Sequence, residues 1–184
     1  MPSGHDAPTH PNCWVLIGLP ASGKTTWRRA QIERRARLDR SLTVISTDDL
    51  IEQIAGAIGV TYSDAFRMIE HQALLAHVKR QFRDAADRRD DLIIDRTNLY
   101  PTSRATWLGR LAGYRKIAVV FEVSEAEHTE RLAMAGWNGK VIPPAVLDDM
   151  RSKFVRPMKD EGFDMVWTYR DGVPATPFPV AVAA

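Results

Sequence analysis

Residues 18–25 read G-L-P-A-S-G-K-T and match the pattern G-x-x-x-x-G-K-[ST] at every fixed position. Directly before this motif, residues 13–17 form the apolar run C-W-V-L-I, which is typical of a buried parallel strand. Residues 25–31 contain neither Gly nor Pro, as a helix requires. A motif at such a strand-to-helix turn predicts a loop whose backbone N–H groups point at nucleotide phosphates, at the positive end of a helix dipole.

The loop motif assigns roles to particular side chains. We expect Lys24 to reach the β- and γ-phosphates of ATP and to act in catalysis, and the Thr25 hydroxyl to ligate Mg²⁺. The motif residues expected to contact the nucleotide are Gly18, Pro20, Ala21, Ser22, Gly23, Lys24, Thr25 and Thr26. ATP and Mg²⁺ are therefore the predicted cofactors.

The composition indicates one soluble globular domain. The chain has 184 residues, enough for a core, and its apolar (45%) and charged (26%) fractions are ordinary for such a domain. Residues 1–12 are polar and no apolar run is long enough to span a membrane, so we expect neither a signal peptide nor a membrane segment. The single Cys13 excludes an internal disulfide and suits a reducing cytoplasm.

Apolar runs alternate with longer helical stretches along the chain. Strands are predicted for residues 13–18, 42–46, 91–95, 116–123 and 163–169. Helices are predicted for residues 24–40, 48–58, 63–89 with Ser63 as the N-cap, 101–113, from 124 onward, and 143–161. This alternation predicts an α/β fold, a parallel β-sheet of four to five strands sandwiched by helices, with the site at the carboxyl ends of the strands. Residues 1–12 are expected to be a flexible N-terminal segment and residues 171–184 a C-terminal tail.

Arginine is unevenly distributed in a chain whose net charge is only +2. Arginines outnumber lysines by 19 to 6, and six of them lie within residues 28–40. The arginine guanidinium stacks on bases and binds phosphate in a fork, so the cluster favours a polyanionic partner such as nucleic acid. The alternative is a solvated helix face, and the cluster alone does not decide between the two.

An acidic pair, Asp48 and Asp49, follows the second predicted strand. In a parallel sheet this position lies at the same edge as the phosphate loop. A phosphotransferase needs a carboxylate there, because an acceptor alcohol is a weak nucleophile until its proton has an acceptor. We therefore expect Asp48 to be the general base and Asp49 to cap the following helix; the alternative is that both residues only cap it.

A second polar segment, residues 95–98, ends the third predicted strand. Asp95 is expected to be the second carboxylate of the site, binding Mg²⁺ through water or hydrogen-bonding the loop Thr. Arg96 is a candidate for binding substrate phosphate, whereas Thr97 and Asn98 are candidates for either the substrate or the cap of the next helix. The residues predicted to contact the acceptor are Asp48, Tyr62, Arg96, Thr97, Asn98 and Arg104.

These elements, in this order and spacing, resemble the polynucleotide kinase family of P-loop phosphotransferases, particularly the phage type. The resemblance covers roughly residues 13–160 and rests on the loop through Trp27, Asp48-Asp49, the T-N-L segment 97–99 before Pro101, and residues 140–150. It implies a P-loop kinase domain over residues 13–170 with a small helical lid, and Asp48 as the base. For a phage-encoded protein the compartment would be the host cytoplasm.

Two positions depart from the family pattern. Phage 5′-hydroxyl kinases carry an Arg three residues after the base, where it binds the neighbouring phosphate, and this chain has Ile51 there. Their lid also carries an Arg, whereas residues 134–139 contain no basic residue. Arg131 or Lys140 could supply that charge from the flanks. The departures put the identity of the acceptor in question.

The sequence also resembles the phage kinases that phosphorylate 5-hydroxymethyluracil within DNA. A hydroxymethyl acceptor on a base does not need the contact made by the missing Arg. Aromatic residues predicted near the acceptor cleft, which would stack an exposed base or simply pack, are Tyr62, Phe66, Tyr100 and Trp137. We predict transfer of the γ-phosphate of ATP to a hydroxyl of nucleic acid, DNA rather than RNA, with the 5-hydroxymethyl group of 5-hydroxymethyluracil as the leading acceptor. The alternatives are a 5′-hydroxyl polynucleotide kinase, a kinase of a small molecule such as a nucleoside or antibiotic, and an NTP-driven switch without an acceptor.

Overall fold

The protein is built around a central strand, β1 (Asn12–Ile17), all six residues of which are buried. The computed structural model describes residues 10–38, 41–136, 142–175 and 180–181. β1 pairs in parallel with β3 (Asp91–Asp95) on one side and with β4 (Arg115–Glu122) on the other. The apolar composition of β1 follows from this position, because a central parallel strand contacts helices on both faces.

Two further parallel strands extend the sheet. β2 (Leu42–Ser46) pairs with β3, and β5 (Met165–Arg170) pairs with β4. Two short strands, β6 (Val173–Pro174) and β7 (Val180–Ala181), pair antiparallel with β5, so the sheet order is β2-β3-β1-β4-β5-β6 with β7 also on β5. The five predicted parallel strands are confirmed. The sheet extends past residue 170, so residues 173–174 and 180–181 of the predicted tail belong to it.

Helices follow the strands and cover both faces of the sheet, as predicted. They are α1 (Lys24–Ala36), α2 (Thr47–Ile58), α3 (Tyr62–Met68), α4 (His71–Asp87), α5 (Pro101–Leu108), α6 (Glu125–Gly136) and α7 (Pro144–Ser152), with one 3₁₀ turn at Lys159–Glu161. Among the described residues, no helix combines the length and the apolarity needed to cross a lipid bilayer.

Side chains of β1 alternate between two hydrophobic clusters, one on each face of the sheet. Val15 lies in a cluster with Phe82 of α4 and Trp107 of α5. Trp14 lies on the opposite face with Trp27 of α1, and the two indole rings meet edge to face at 6.4 Å. The two cores fix α1 and α5, the helices that follow the phosphate loop and β3.

The long helix predicted for residues 63–89 is two helices, and this prediction was wrong. Ile69 has an extended backbone (φ −75°, ψ 136°) that ends α3. Glu70 then caps α4, because its carboxylate accepts hydrogen bonds from the N–H groups of Gln72 and Ala73. Thr61, rather than Ser63, is the N-cap of α3. Apolar spacing continues through the break, so periodicity alone does not reveal it.

The last predicted helix, residues 143–161, is shorter in the structure. α7 ends at Ser152, and the chain continues without a helix to the 3₁₀ turn. The predicted lid falls mainly on residues 137–141, which lie outside the described residues, as do residues 1–9 of the predicted flexible segment 1–12. The last residue of that segment, Asn12, is buried and begins β1. The segment between α7 and β5 is therefore not part of a continuous helix and is attached to the domain by other contacts.

Arg104 provides that attachment, and its predicted contact with the acceptor is corrected here. The side chain is fully buried and its guanidinium donates to both carboxylate oxygens of Glu161, at 2.6 and 2.7 Å. It also donates to the carbonyls of Asn98 and Val155, at 3.0 and 3.1 Å. These bonds join α5 to the segment after α7, so Arg104 has a structural role.

We predict that Arg104→Met lowers the free energy of unfolding by about 3–5 kcal/mol, because Glu161 is left without its cationic partner. Arg110→Met is the matched control: Arg110 is exposed just beyond α5, and its replacement should change stability by about 0.5 kcal/mol or less. Denaturant unfolding measures both. Equal stability of the two variants would contradict the structural role of Arg104.

The same ion pair makes stability depend on pH. Burial raises the pKa of Glu161, but the hydrogen bonds from Arg104 and from the Met158 N–H outweigh it and hold the pKa below its ordinary value of 4.5. The pair therefore contributes fully above pH 4.5 and loses its contribution as the pH falls through the lower folded-state pKa. In Arg104→Met this acid-dependent part of the stability should disappear.

Candidate nucleotide and acceptor site

The loop between β1 and α1 requires glycine at its first position. A Cβ atom on Gly18 would lie 2.8 Å from the Ser22 hydroxyl and 2.9 Å from the Phe121 carbonyl, which is too close for any side chain. The Gly18 N–H donates to the Thr97 carbonyl at 3.0 Å, so the loop is attached to the segment after β3. Gly23, at the start of α1, has a left-handed backbone with φ 103°. The chain therefore turns tightly enough to face its N–H groups toward a ligand.

Lys24 lies across this loop. Its ammonium donates to the carbonyls of Gly18 at 2.8 Å and of Leu19 at 2.5 Å, and its side chain is buried. The buried Ser22 hydroxyl has no hydrogen-bond partner among the described residues. A curled backbone, a buried ammonium and an unsatisfied hydroxyl are together suited to the oxygen-rich phosphates of a nucleotide. The residues present therefore fit ATP.

Two side chains from α6 support the loop. The imidazole of His128, 2% exposed, contacts the Pro20 carbonyl through Nε2 at 2.8 Å and Arg151 Nη2 through Nδ1 at 3.2 Å. Arg131, the predicted replacement for the lid arginine, places Nη1 3.3 Å from where a Cβ on Gly23 would lie. Arg131 is therefore near the loop, and its contact with the nucleotide stays a prediction. No sequence motif pointed to His128, a lone histidine in a helix.

Arg28 joins two carboxylates of the site and was not predicted. Its Nη1 atom lies 2.9 Å from both carboxylate oxygens of Asp49 and 2.9 Å from Oδ2 of Asp95. Burial raises the pKa of Asp95, while the positive charges of Lys24 and Arg28 oppose that shift. Asp49, predicted to cap α2, is instead an ion-pair partner, and Ser46 is the N-cap that accepts from the Asp49 N–H at 3.1 Å.

Thr25 and Asp95 remain the predicted Mg²⁺ ligands. Thr25 is exposed at the start of α1, and Asp95 ends β3 beside the charge of Lys24. Within the described residues no three His, Cys, Asp or Glu side chains converge as a metal cage. Mg²⁺ needs no such cage, because it usually takes one or two protein oxygens, waters and phosphate oxygens. This pair fits that coordination.

Asp48 begins α2 at the carboxyl end of β2, and Tyr62 contacts it. The Tyr62 hydroxyl donates to Oδ1 of Asp48 at 3.0 Å. Burial, followed by the negative charge of Asp48, raises the pKa of Tyr62 well above its ordinary value, so the phenol remains protonated and able to donate. A hydroxyl group therefore already lies at hydrogen-bonding distance from the proposed base.

Ile51, at the position of the missing arginine, is 1% exposed. It packs in a separate hydrophobic cluster with Ala55, Ala65 and Leu74, where α2, α3 and α4 meet. This position is therefore part of the core. Any cation that binds an acceptor phosphate must come from another element.

The segment after β3 divides into structural and cleft-facing residues. Asn98 has a left-handed backbone (φ 47°) and is 3% exposed, and its side-chain amide donates to the Leu16 carbonyl at 2.8 Å. It fixes the segment to β1, and its predicted contact with the acceptor stays a prediction. Arg96 lies close enough to Asp48 for that charge to raise the pKa of Arg96, although burial lowers it more. Asp48 thus contacts Tyr62 and lies within electrostatic range of Arg96.

Aromatic side chains continue outward from the proposed base. The rings of Tyr62 and Phe66 are stacked, 6.3 Å apart with an interplanar angle of 21°, and Phe66 is 45% exposed. Tyr100 is also exposed, at the N-cap of α5. Trp137, the fourth predicted aromatic, lies outside the described residues. The exposed Phe66 ring, stacked on the tyrosine that contacts Asp48, is available to stack a base.

Comparisons with known proteins agree with this architecture. A family model described as an AAA domain matches residues 13–157. A candidate kinase from Chloroflexus aurantiacus has a similar structure, with 18% identity and a TM-score of 0.63, over 90% of this chain and 88% of the other. Kti12 of Chaetomium thermophilum, solved with ADP-AlF3, has 17% identity and a TM-score of 0.58, over 86% and 88%.

A chain of the Pnkp1/Rnl/Hen1 RNA repair complex is also similar, with 19% identity and a TM-score of 0.61. The match covers 80% of this chain and 45% of that one. At these identities the likeness concerns the fold, a mostly parallel sheet flanked by helices with a phosphate loop after β1.

Proposed function

Since this chain belongs to the AAA domain family, we propose that it is an ATP-dependent kinase that transfers the γ-phosphate of ATP to a hydroxyl of nucleic acid. The observation that carries the proposal is the hydrogen bond from the Tyr62 hydroxyl to Asp48 at 3.0 Å. It means that the carboxylate that follows β2, at the sheet edge that also carries the phosphate loop, is within reach of an O–H group. A nucleotide switch has no need of such a carboxylate.

Side chains of this protein would accept the proton of the acceptor hydroxyl and offset the negative charge of the transferred phosphate. The acceptor oxygen forms a bond to the γ-phosphorus, the bond from that phosphorus to the β–γ bridging oxygen breaks, and ADP leaves. Asp48 takes the acceptor proton, Tyr62 orients the carboxylate, and Lys24 offsets the charge that develops on the phosphate oxygens. Bound through Thr25 and Asp95, Mg²⁺ would neutralise further phosphate charge.

We propose the hydroxymethyl group of 5-hydroxymethyluracil in DNA as the acceptor. Two features support it: Ile51 is buried where end-specific phage kinases carry an arginine, and the exposed Phe66 ring continues the Tyr62 stack beside Asp48. A base turned out of its stack could lie on these rings with its substituent at Asp48. The likeness to a chain of an RNA repair complex favours the second candidate, a 5′-hydroxyl polynucleotide kinase.

We predict that end-blocked DNA containing 5-hydroxymethyluracil accepts labelled phosphate from ATP at least as well as 5′-hydroxyl ends do. The reason is that no arginine fork on α2 binds the phosphate next to a strand end. The assay compares end-blocked DNA with and without the modified base, 5′-hydroxyl DNA, 5′-hydroxyl RNA and a nucleoside mixture. Label on the 5′ ends alone would leave a polynucleotide end kinase, and label on the nucleosides alone a small-molecule kinase.

A further inference from the structure

A groove opens between α4 and α5, at the segment that follows β3. It has a volume of about 330 Å³, and Lys79 of α4 lies on one wall with Ser103 and Thr106 of α5 on the other. Arg96 and Thr97, from the segment after β3, form its inner end. Two cations and several hydroxyl groups line the groove, and none of its lining residues is acidic. This is the chemistry of a site for an anion.

Arg96 is the central feature of this groove. Its guanidinium is partly buried, and the loss of water lowers its pKa. It has no hydrogen-bond or ion-pair partner within the described residues, although a guanidinium carries five N–H donors. A cation that gives up water without gaining an acceptor is unfavourable, so its position is accounted for if a ligand supplies the acceptor.

The Arg96 guanidinium packs against a buried aromatic ring. Its guanidinium lies 5.8 Å from the ring centre of Trp107, a cation–π distance. Trp107 is itself held by Phe82, which meets it edge to face at 5.3 Å. The buried aromatic pair therefore presents the guanidinium toward the groove, and the fork does not have to be ordered when a ligand binds.

The charges around the groove relate it to the proposed base and make it favourable for an anion. The carboxylate charge of Asp48 raises the pKa of Arg96, so the residue at the inner end of the groove lies within electrostatic range of the proposed base. Lys79 is exposed and has no ion-pair partner in the described part of the chain. The first turn of α5, with its positive helix end, adds to the same potential.

We propose that this groove binds a phosphodiester of single-stranded nucleic acid, next to the nucleotide whose hydroxyl faces Asp48. Arg96 holds the phosphate oxygens in its fork, and Lys79 adds a second charge at the outer end. The groove thus supplies a phosphate contact from a different element than α2, for an internal nucleotide as well as for a strand end. The inference rests on the proposed function for the identity of the acceptor, but binding in the groove can be measured separately.

The direct test is binding of a fluorescein-labelled eight-nucleotide DNA strand, followed by anisotropy at several salt concentrations. Arg96→Gln should weaken binding by about 10-fold to 100-fold, since it removes a charge-assisted contact to phosphate. Arg96→Lys keeps the charge without the fork, so its affinity for the strand should lie between those of the unaltered protein and Arg96→Gln. Lys79→Ala should weaken binding by about 3-fold. Each lost contact should also reduce the salt slope by about 0.7.

The matched control is Arg80→Gln. Arg80 is the exposed neighbour of Lys79 on α4, contacts His77 and does not line the groove. Its replacement by Gln therefore removes one positive charge, as Arg96→Gln does, but outside the groove. Its effect on binding should be less than about 2-fold. Equal effects of Arg80→Gln and Arg96→Gln would overturn the groove, as would unchanged binding in Arg96→Gln with a normal unfolding transition.

Kinetics separate the groove from the proposed function. With an accepting strand, Arg96→Gln should raise KM for the strand while KM for ATP stays unchanged. If no nucleic acid accepts phosphate but the variants bind the DNA strand with the predicted ranking of affinities, the proposed function is wrong and the groove is still a phosphate-binding site. If a strand is phosphorylated and all variants bind and react like the unaltered protein, the groove fails and the kinase stands.

Discussion

Lys24→Ala should lower turnover by about 10²–10⁴-fold with the fold intact, because it removes the charge nearest to the transferring phosphoryl group. The ammonium lies 2.8 Å from the Gly18 carbonyl and 2.5 Å from the Leu19 carbonyl, both within the phosphate loop. In the proposed reaction it exchanges these carbonyls for phosphate oxygens as charge develops there. Steady-state rates at saturating ATP measure the loss.

Lys153→Ala is the control for this experiment. Lys153 is exposed after α7, where it pairs with Asp149 at 2.6 Å, far along the chain from the loop, and its replacement should leave turnover unchanged. Circular dichroism and thermal unfolding check that Lys24→Ala is folded. A folded Lys24→Ala protein with most of its activity would contradict the role of the loop in phosphoryl transfer.

The central sheet was predictable because its strands are short apolar runs bounded by polar turns. β1 and β3 are buried on both faces, so nearly every residue from Cys13 to Ile17 and from Leu92 to Ile94 is apolar. This pattern is local and needs no knowledge of the partner strand. The phosphate loop was predictable for the same reason, since its geometry depends on glycines at fixed offsets.

Elements that depend on distant contacts were not predictable in this way. β6 and β7 form only because β5 offers a free edge to residues after 170, and two-residue strands have no periodicity of their own. The break between α3 and α4 depends on the carboxylate of Glu70, which caps one helix while the apolar spacing continues. At this point a capping residue that begins a new helix lies within an apolar spacing that is typical of one continuous helix.

The site residues likewise divide into those with a local sequence signal and those placed by distant contacts. Lys24 was found from the phosphate-loop motif, and Asp48 and Asp95 were found because they lie at the ends of β2 and β3, where the carboxyl edge of a parallel sheet collects functional groups. Arg28 was missed because only the fold brings it to Asp49 and Asp95, which are 21 and 67 residues away. Arg104 was assigned to the acceptor because sequence does not distinguish a buried arginine paired with Glu161 from an exposed one.

Asp48→Asn should abolish most phosphoryl transfer while ATP binding persists. The amide has nearly the shape of the carboxylate, and its carbonyl oxygen can still accept the hydrogen bond from Tyr62. It cannot take the acceptor proton, however, so the rate should fall by the 10²–10⁴-fold, roughly, that a general base contributes. Binding of a fluorescent ATP analogue should be unchanged, which separates loss of the base from loss of the nucleotide site.

Asp49→Asn is the decisive comparison, because the two aspartates are adjacent in the first turn of α2. Asp49 is 38% exposed and pairs with Arg28, which keeps Asp95 as its second partner when Asp49 is neutralised. The change should therefore reduce the free energy of unfolding by about 1 kcal/mol or less and lower turnover only modestly. The opposite result, an active Asp48→Asn and an inactive Asp49→Asn, would mean that Asp49 is the base and that its pairing with Arg28 must open before each turnover.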